Sequence, residues 1–422
     1  MKIIIKNGRV IDPKNNIDAK LDVYIAAGKI VGIGDSPAGF AANQTIDATN
    51  LIVAPGLVDI AVRLREPGLI YKATLESELE AAVAGGITSL ACLPDTNPML
   101  DEPGLVEMLK YRAKQLNLAH VYPLGALTKK LEGKQITEMS ELSFKGCVGF
   151  SQADNYITDT GILFSTMKYA ATYDFTLFLR AEDHFLAKEG VAHEGEIATR
   201  LGLKGIPVIA ETIAISTIIQ LARETGARIH LCRLSSSEGV NLIRIAKKTG
   251  LIISCDVAAH QLHLTEHDIG FFNSHCHLTP PLRTERDKNA LIAGLIDGTI
   301  DVICSDHCPV NDDGKLLPFA ESERGATGLE LLLPLTLKWA NHSKVNLKDA
   351  IAKITVQAAD SLKINAGALT VGNDADICIF DINEYWQITP KNLKSEGKNT
   401  PFLGLELAGK VKHTLVHGIV VF

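Results

Sequence analysis

The side chains with the clearest chemical potential lie late in the sequence. Asp306 and His307 are adjacent, and an imidazole beside a carboxylate is a common composition for a general base. Packing beside Asp306 is the preferred interpretation of His307, and the general base is the alternative. His275 and His277 are one residue apart, so on a strand both rings would share a face and could bind a metal. Ordinary loop positions are the preferred interpretation of this pair.

The composition is typical of a soluble globular protein. The chain has 422 residues, of which 46% are hydrophobic and 22% charged, enough for one large domain or two ordinary ones. A net charge of −7 and the lack of a long basic run argue against nucleic acid as the main partner. No stretch approaches the length of a membrane span or a signal peptide. The 8 cysteines are dispersed in mostly apolar runs, which predicts buried, reduced thiols in a cytoplasmic protein.

Short apolar runs alternate with segments of helical periodicity through the middle of the chain. Eight strands that are buried on both faces and alternate with helices over about 300 residues favour an α/β fold, specifically a (β/α)8 TIM-type barrel. A two-domain α/β arrangement is the alternative. The runs are residues 57–64, 87–93, 120–126, 148–150, 175–179, 228–234, 252–257 and 300–304.

Two helices are predicted with specific ends. Leu75, Leu79 and Ala82 share a helical face that stops before Gly85, a residue type common at helix C-termini. Residues 235–238 have the spacing of a capping box, which predicts the start of a helix that ends at Gly250.

Both ends of the chain contain short strand-like segments instead of this alternation. Neither end holds enough strands for a stable sandwich by itself. We therefore predict a composite β-domain built from residues 1–53 and 367–422, joined to a barrel at residues 54–366.

Several strings of the sequence resemble the dihydroorotase family of the amidohydrolase superfamily, in its longer bacterial form, over essentially the whole chain. The resemblance implies an amidohydrolase-type barrel plus a small β-sandwich domain formed by both termini. Active members hydrolyse and form the ring amide of dihydroorotate with one or two zinc ions at the C-terminal end of the barrel. The strings are residues 7–13 (NGRVIDP), 54–59 (APGLVD), 64–68 (LREPG), 193–195 (HEG), 280–283 (PPLR), 297–301 (DGTID) and 400–402 (TPF).

The zinc ligands of the family do not carry over to this chain. Zinc takes neutral imidazoles and anionic groups, whereas a guanidinium stays protonated and cannot bind a metal. The resemblance places other residue types at the strand-one His-x-His pair, the bridging carboxylate after strand four, and the histidines of strands five and six. Asp306, the strand-eight aspartate, is retained. The vacated ligand positions are Ala61, Arg63, Gln152, Arg180 and Arg233.

The substrate contacts implied by the resemblance are partly lost. Arg65 matches the arginine that pairs with the substrate carboxylate, and it is retained. Two asparagines of the family correspond to Asp95 and Thr279, and a histidine beyond strand eight corresponds to Val310. Arg65, Asp95 and Thr279 would form a substrate-like pocket together with His307.

Arg63, Arg180 and Arg233 are predicted to converge at the mouth of the barrel, because their family counterparts contact the same metal pair. Buried cations without partners are strongly unfavourable, so we expect an internal ion-pair network, with a bound anion as the alternative. Loss of Asp306 is then expected to cost roughly 3–5 kcal/mol of stability. The nearest carboxylates by sequence context are Asp95, Glu182 and Asp306.

The sequence therefore predicts a non-catalytic dihydroorotase homologue of pyrimidine biosynthesis. It resembles the inactive dihydroorotase-like subunits of some bacteria, which implies the aspartate carbamoyltransferase catalytic chain as partner in an oligomer. No zinc or other cofactor is expected, and Asp306 keeps the family's catalytic position without a metal-bound water to act on. Two alternatives stay open: an active dihydroorotase or other cyclic-amide hydrolase with an atypical site, and a small-anion-binding module built on the arginines.

Overall fold

The computed structural model describes residues 1–422, which form one eight-stranded barrel sheet, a six-stranded sheet, a four-stranded sheet and a two-stranded pair. The strands are β1 (Lys2–Lys6), β2 (Arg9–Asp12), β3 (Ile17–Lys20), β4 (Val23–Ala26), β5 (Lys29–Ile33), β6 (Gln44–Asp47), β7 (Ile52–Pro55), β8 (Leu57–Val62), β9 (Ile87–Cys92), β10 (His120–Ala126), β11 (Gly149–Ser151), β12 (Thr176–Leu179), β13 (Ala192–His193), β14 (Gly205–Ile206), β15 (Arg228–Leu231), β16 (Ile253–Ala258), β17 (Val302–Cys304), β18 (Ile377–Gln387), β19 (Glu406–Val416) and β20 (Ile419–Val420).

Thirteen α-helices and five short 3-10 turns accompany these strands. The helices are α1 (Leu75–Ala84), α2 (Pro103–Leu116), α3 (Met139–Phe144), α4 (Thr160–Thr172), α5 (His184–Ala187), α6 (Glu196–Leu201), α7 (Val208–Thr225), α8 (Ser237–Lys248), α9 (Glu285–Ile296), α10 (Asp312–Leu316), α11 (Leu332–Ser343), α12 (Leu347–Lys353) and α13 (Val356–Leu362). The 3-10 turns are Lys129–Leu131, Ala259–Leu262, Glu266–Ile269, Ser274–Cys276 and Leu329–Leu331. No helix is both long enough and apolar enough to cross a bilayer.

The barrel consists of parallel strands in the order β8, β9, β10, β11, β12, β15, β16, β17. Each strand overlaps one of the eight predicted apolar runs, so the barrel prediction is confirmed. Every residue of β8, β9 and β12 is buried, as expected of a parallel sheet covered on both faces. Beyond the ends of β8 and β17, Arg63 N donates to His307 O at 2.9 Å and His307 N donates to Ala61 O at 3.1 Å, which brings the first and last strands together.

The two helix predictions have different outcomes. Helix α1 ends at Ala84 with Gly85 as its C-cap, as predicted. The predicted capping box at residues 235–238 is wrong: Ser236 is the N-cap of α8, and its hydroxyl accepts from Gly239 N. The reason is tertiary, because the buried carboxylate of Glu211 accepts hydrogen bonds from both the backbone N and the hydroxyl of Ser235.

Strands from the two ends of the chain pair in the six-stranded sheet, ordered β20, β19, β18, β7, β2, β3. The four-stranded sheet comes from the N-terminal part alone, in the order β5, β4, β1, β6. A separate apolar core, which includes Ile3, Ile25, Val53, Ile377 and Leu415, contains residues of both sheets. Strand β7 pairs with β18 as far as Pro55, just beyond the boundary drawn at residue 53.

Part of the C-terminal segment contacts the barrel and not the sheets. Between β18 and β19, Lys394 N and Ser395 N donate to the buried Glu330 carboxylate, and Ser395 Oγ donates to Glu78 Oε2 at 2.7 Å. The Asn399 side chain accepts from Val310 N at 2.9 Å. The sequence predicts that residues 394–399 belong to the β-domain. In the structure they bind instead to residues of the barrel, beside the end at which the arginines lie.

Candidate functional site

Three arginines follow the carboxyl ends of three barrel strands. Arg63 comes directly after β8, Arg180 directly after β12, and Arg233 shortly after β15. Because the carboxyl ends of parallel strands meet at one end of a barrel, the three side chains reach a common centre. All three are nearly inaccessible, with 5%, 5% and 3% of their side-chain surface exposed.

Asp154 lies at the middle of this centre and contacts all three guanidiniums. Its Oδ2 is 2.5 Å from Arg63 Nη2, and its Oδ1 is 2.9 Å from Arg180 Nε and 2.6 Å from Arg233 Nη2. Asp154 is not among the residues predicted from the sequence. The available signal was its place two residues after Gln152, the position that the resemblance assigns to the bridging carboxylate.

Each arginine also holds a carboxylate of its own. The pairs are Arg63 Nε with Asp95 Oδ2 at 2.6 Å, Arg233 Nη1 with Asp306 Oδ1 at 2.9 Å, and Arg180 Nη1 with Glu182 Oε1 at 2.9 Å. The structure thus brings together the arginines and the three carboxylates named from the sequence. With Asp154 included, carboxylates outnumber guanidiniums by one, so the centre has no uncompensated positive charge.

The pKa values of Asp154 and Asp306 are shifted in opposite directions. Burial alone would raise the pKa of Asp154, but Arg233, Arg63 and Arg180 outweigh burial and hold the pKa well below its ordinary value. Burial raises the pKa of Asp306 to about 6, because Arg233 and Arg63 offset only part of the desolvation and Asp154 adds repulsion. Asp154 is therefore the anion that the arginines stabilise, and Asp306 is charged at a net cost.

Ala61 and Gln152, the other two positions that the resemblance assigns to zinc ligands, offer no ligand atom to the arginine centre. Ala61 is buried and offers only a methyl group. The Gln152 amide is occupied elsewhere: its Nε2 donates to Leu131 O at 2.8 Å and to Thr128 Oγ1 at 2.9 Å. These contacts anchor the turn after β10.

The sequence compares closely with known proteins over its full length. A sequence model of the family described as Dihydro-orotase-like matches residues 50–239. A dihydroorotase-like protein of Pseudomonas aeruginosa is 43% identical over 418 residues, which cover 99% of each chain. The chain belongs to the dihydroorotase-like family. A dihydroorotase-like protein of Pseudomonas putida is 42% identical, and a dihydroorotase of Geobacter sp. (strain M21) is 38% identical; each match covers 100% of this chain and 99% of the relative.

Solved structures agree with this dihydroorotase-like assignment at the level of the fold. An L-hydantoinase from Arthrobacter aurescens superposes with a TM-score of 0.89 at 26% identity, covering 99% of this chain and 95% of its own. A dihydropyrimidinase from Brevibacillus agri NCHU1002 gives a TM-score of 0.84 at 22% identity, covering 100% and 95%. The barrel with accompanying β-sheets is therefore the amidohydrolase-type architecture that the sequence predicted.

The residues at the centre of this dihydroorotase-like barrel do not fit zinc. Guanidiniums have no lone pair to donate and repel a divalent cation. The oxygens of Asp154 that face the centre are already engaged by arginines, and so is Oδ1 of Asp306. A metal would have to displace charge-assisted hydrogen bonds and then share the space with three cations.

One other group of potential ligands, His230, Cys232 and Asp256, lies close enough to share an ion. His230 Nε2 is 2.9 Å from Asp256 Oδ2, and its Nδ1 is 2.8 Å from Ser254 Oγ. Asp256 Oδ1 accepts from Arg233 N at 2.8 Å. Burial raises the pKa of the Cys232 thiol, which keeps it protonated. These groups are satisfied by one another and hold the backbone of Arg233 in place.

The residues of the predicted substrate-like pocket are engaged in separate contacts. His307 is fully buried, with Nε2 2.5 Å from Glu78 Oε2 and Nδ1 accepting from Gly328 N at 3.1 Å. Neither ring nitrogen is free, so the general-base interpretation is wrong. Arg65 donates from Nε to Pro309 O and from Nη2 to Cys308 Sγ, both at 2.9 Å. Thr279 is half-buried and makes no side-chain hydrogen bond within this centre.

The histidine pair at residues 275 and 277 does not share a strand face. His275 lies in the 3-10 turn Ser274–Cys276, and His277 follows it. His277 Nδ1 is 2.9 Å from Ser322 O, and its ring packs against Phe319 with centroids 4.9 Å apart. These are loop and packing positions, as preferred from the sequence. All 8 cysteines are free thiols, and all except Cys232 are buried.

Proposed function

We propose that this chain is a non-catalytic member of the dihydroorotase-like family. The observation that carries the proposal is the contact of Asp154 with Arg63, Arg180 and Arg233 at the place where active relatives would hold their metal. Amide hydrolysis requires an activated water and stabilisation of a developing oxyanion. Neither function is supplied by guanidiniums that are already neutralised by the Asp154 carboxylate.

The two alternatives drawn from the sequence gain nothing from this geometry. An atypical hydrolase would use Asp306 as its base, but Asp306 Oδ1 is bound to Arg233 Nη1 at 2.9 Å. An anion-binding module needs spare positive charge, and the carboxylates at this centre outnumber the guanidiniums. A structural role is the function that the arrangement supports best.

The first test is metal content and turnover of the purified full-length chain. We expect far less than one zinc per chain by elemental analysis and no detectable interconversion of dihydroorotate and carbamoyl aspartate, because the ligand set is lost. The Geobacter dihydroorotase, 38% identical, is the matched control when it is prepared and assayed in parallel. About one zinc per chain, together with turnover that chelators abolish, would contradict the proposal.

We further propose that the chain acts in pyrimidine biosynthesis, in the cytoplasm, as a structural partner of the aspartate carbamoyltransferase catalytic chain. The proposal is supported by the resemblance of the sequence to inactive dihydroorotase-like subunits. It is also supported by an intact core of 79 buried residues that joins the barrel strands, their helices and parts of both terminal segments. Stable assemblies of this kind commonly bury more than about 2,000 Å².

Co-expression with the carbamoyltransferase of the same organism tests the partnership. We expect the two chains to co-elute as one oligomer, and we expect the carbamoyltransferase alone to be smaller and less active or less stable. The control is the same carbamoyltransferase co-expressed with the Geobacter relative. A carbamoyltransferase of unchanged size and full activity without this chain would contradict the proposal.

A further inference from the structure

A cavity of about 140 Å³ lies between α4 and α7, next to the loops that follow β11 and β12. We propose that it binds a small molecule with a single six-membered ring and a neutral N–H donor. The cavity adjoins the arginine centre, and Arg180 and Glu182 belong to both. The proposal does not depend on the structural role argued above, because it concerns binding between the two helices and no chemistry at the centre.

The volume of the cavity matches a ligand of one ring. An apolar protein cavity of about 150 Å³ holds one benzene molecule. At about 140 Å³, this cavity accommodates one six-membered ring.

The walls favour a ring over a flexible chain. Leu163, Leu179 and Ile218 contribute apolar surface from α4, β12 and α7. The rings of Tyr156 and His184 line the same cavity with centroids 4.9 Å apart and planes inclined at 51°. Apolar walls with aromatic faces are the usual lining of a site for a flat ligand.

At the polar end of the cavity, Glu182 and Arg180 favour a ligand with an uncharged hydrogen-bond donor. Glu182 Oε1 accepts from the Tyr156 hydroxyl at 2.6 Å and lies 2.9 Å from Arg180 Nη1, whereas Oε2 accepts no hydrogen bond from the protein. The Glu182 side chain is only 4% exposed, so an N–H group would satisfy an oxygen that has little access to water. Arg180 disfavours a cationic donor at that point. His184 Nδ1 is also buried without a partner, which suits a carbonyl or ring atom beside the N–H.

The test uses 2-pyridone as the probe and N-methyl-2-pyridone as its matched control, with the unaltered full-length chain. Both are neutral rings of similar size, and only the first can donate to Glu182. We expect saturable one-site binding of 2-pyridone by calorimetry or ligand-detected NMR, and at least about tenfold weaker binding of the N-methyl compound, because Oε2 would be buried against a methyl group. Equal binding of the two compounds, or no saturation by about 10 mM 2-pyridone, would overturn the proposal.

Two variants on the same helix locate the site. Ala214→Leu places a larger side chain into the cavity, and Ser216→Leu adds a similar side chain at an exposed position of α7. We expect the first variant to weaken 2-pyridone binding at least tenfold and the second to leave it unchanged. Unaltered binding to Ala214→Leu would show that the ring binds elsewhere, and the pyridone pair decides the proposal even if that variant fails to fold.

Discussion

Asp154→Asn is expected to lower the free energy of unfolding by about 1–3 kcal/mol, because it removes charge-assisted hydrogen bonds from three buried guanidiniums that each keep one other carboxylate partner. The variant keeps the shape of the side chain but removes the charge that Arg63, Arg180 and Arg233 share. The guanidiniums cannot lose their protons to escape the cost. The guanidiniums are at most 5% exposed, but the Asp154 side chain is 33% exposed, so water partly replaces the lost charge and keeps the cost below that of breaking a fully buried ion pair.

Urea denaturation at pH 7 measures this difference directly. Glu80→Gln is the matched control, since Glu80 is an exposed carboxylate on α1 that makes no ion pair, and surface changes of this kind usually stay within about 0.5 kcal/mol. If the two variants unfold at the same urea concentration, the arginines are not held by Asp154, and the network is not a stabilising feature of the barrel.

Asp306→Asn is expected to have the opposite sign at neutral pH. The pKa of Asp306 is raised from 3.8 to about 6, so the charged form is disfavoured by about 3 kcal/mol in the folded chain relative to the unfolded one. Removing the charge should therefore stabilise the variant by up to about 3 kcal/mol at pH 7. The sequence predicted that loss of Asp306 would lower the free energy of unfolding. The structure indicates that loss of Asp154 is the destabilising change instead.

The pH dependence gives this second prediction its sharpest test. A raised carboxyl pKa contributes stability that is fully present below the unfolded pKa, near 3.8, and is lost as the pH rises through about 6. The advantage of Asp306→Asn over the parent should accordingly be largest above pH 6 and should vanish near pH 4. A variant that is less stable than its parent at pH 7, or an advantage that does not change with pH, would contradict it.

The difference between variant and parent is the quantity to measure, because other groups titrate in the same range. Burial lowers the pKa of His193, His260, His263 and His277 to between about 3 and 4. A lowered histidine pKa costs stability as the pH falls below 6.5, which runs against the contribution of Asp306. Subtracting the two curves removes these histidines, and Glu80→Gln serves again as the flat control.

The location of the arginine centre could be predicted from the sequence because it follows from strand order. Apolar runs buried on both faces define the parallel strands, and residues directly after such strands must meet at one end of a barrel. Arg63 and Arg180 satisfy that condition by position alone. The unsuitability of the site for zinc was also decided by residue type, since no tertiary contact turns a guanidinium into a metal ligand.

The balance of charge within that centre could not be predicted in the same way. The sequence hints at Asp154 only by its place two residues after Gln152, and its contacts with three arginines depend on the fold of the loop after β11. Gln152, two residues earlier, is turned instead toward Thr128. Side-chain direction in an irregular loop is set by the surrounding packing, which periodicity does not encode.

The sequence by itself determined the barrel, the family and the strand ends at which the arginines lie, because each depends on residue type and local order. Only the tertiary structure decided that Asp154 is the carboxylate shared by the arginines and that Ser236 is the N-cap of α8. It also decided that the Glu78 carboxylate binds both the His307 ring and the Ser395 hydroxyl. The physical reason is that pairing, burial and the resulting pKa values belong to groups far apart in the chain, and their free energies exist only once those groups are in contact.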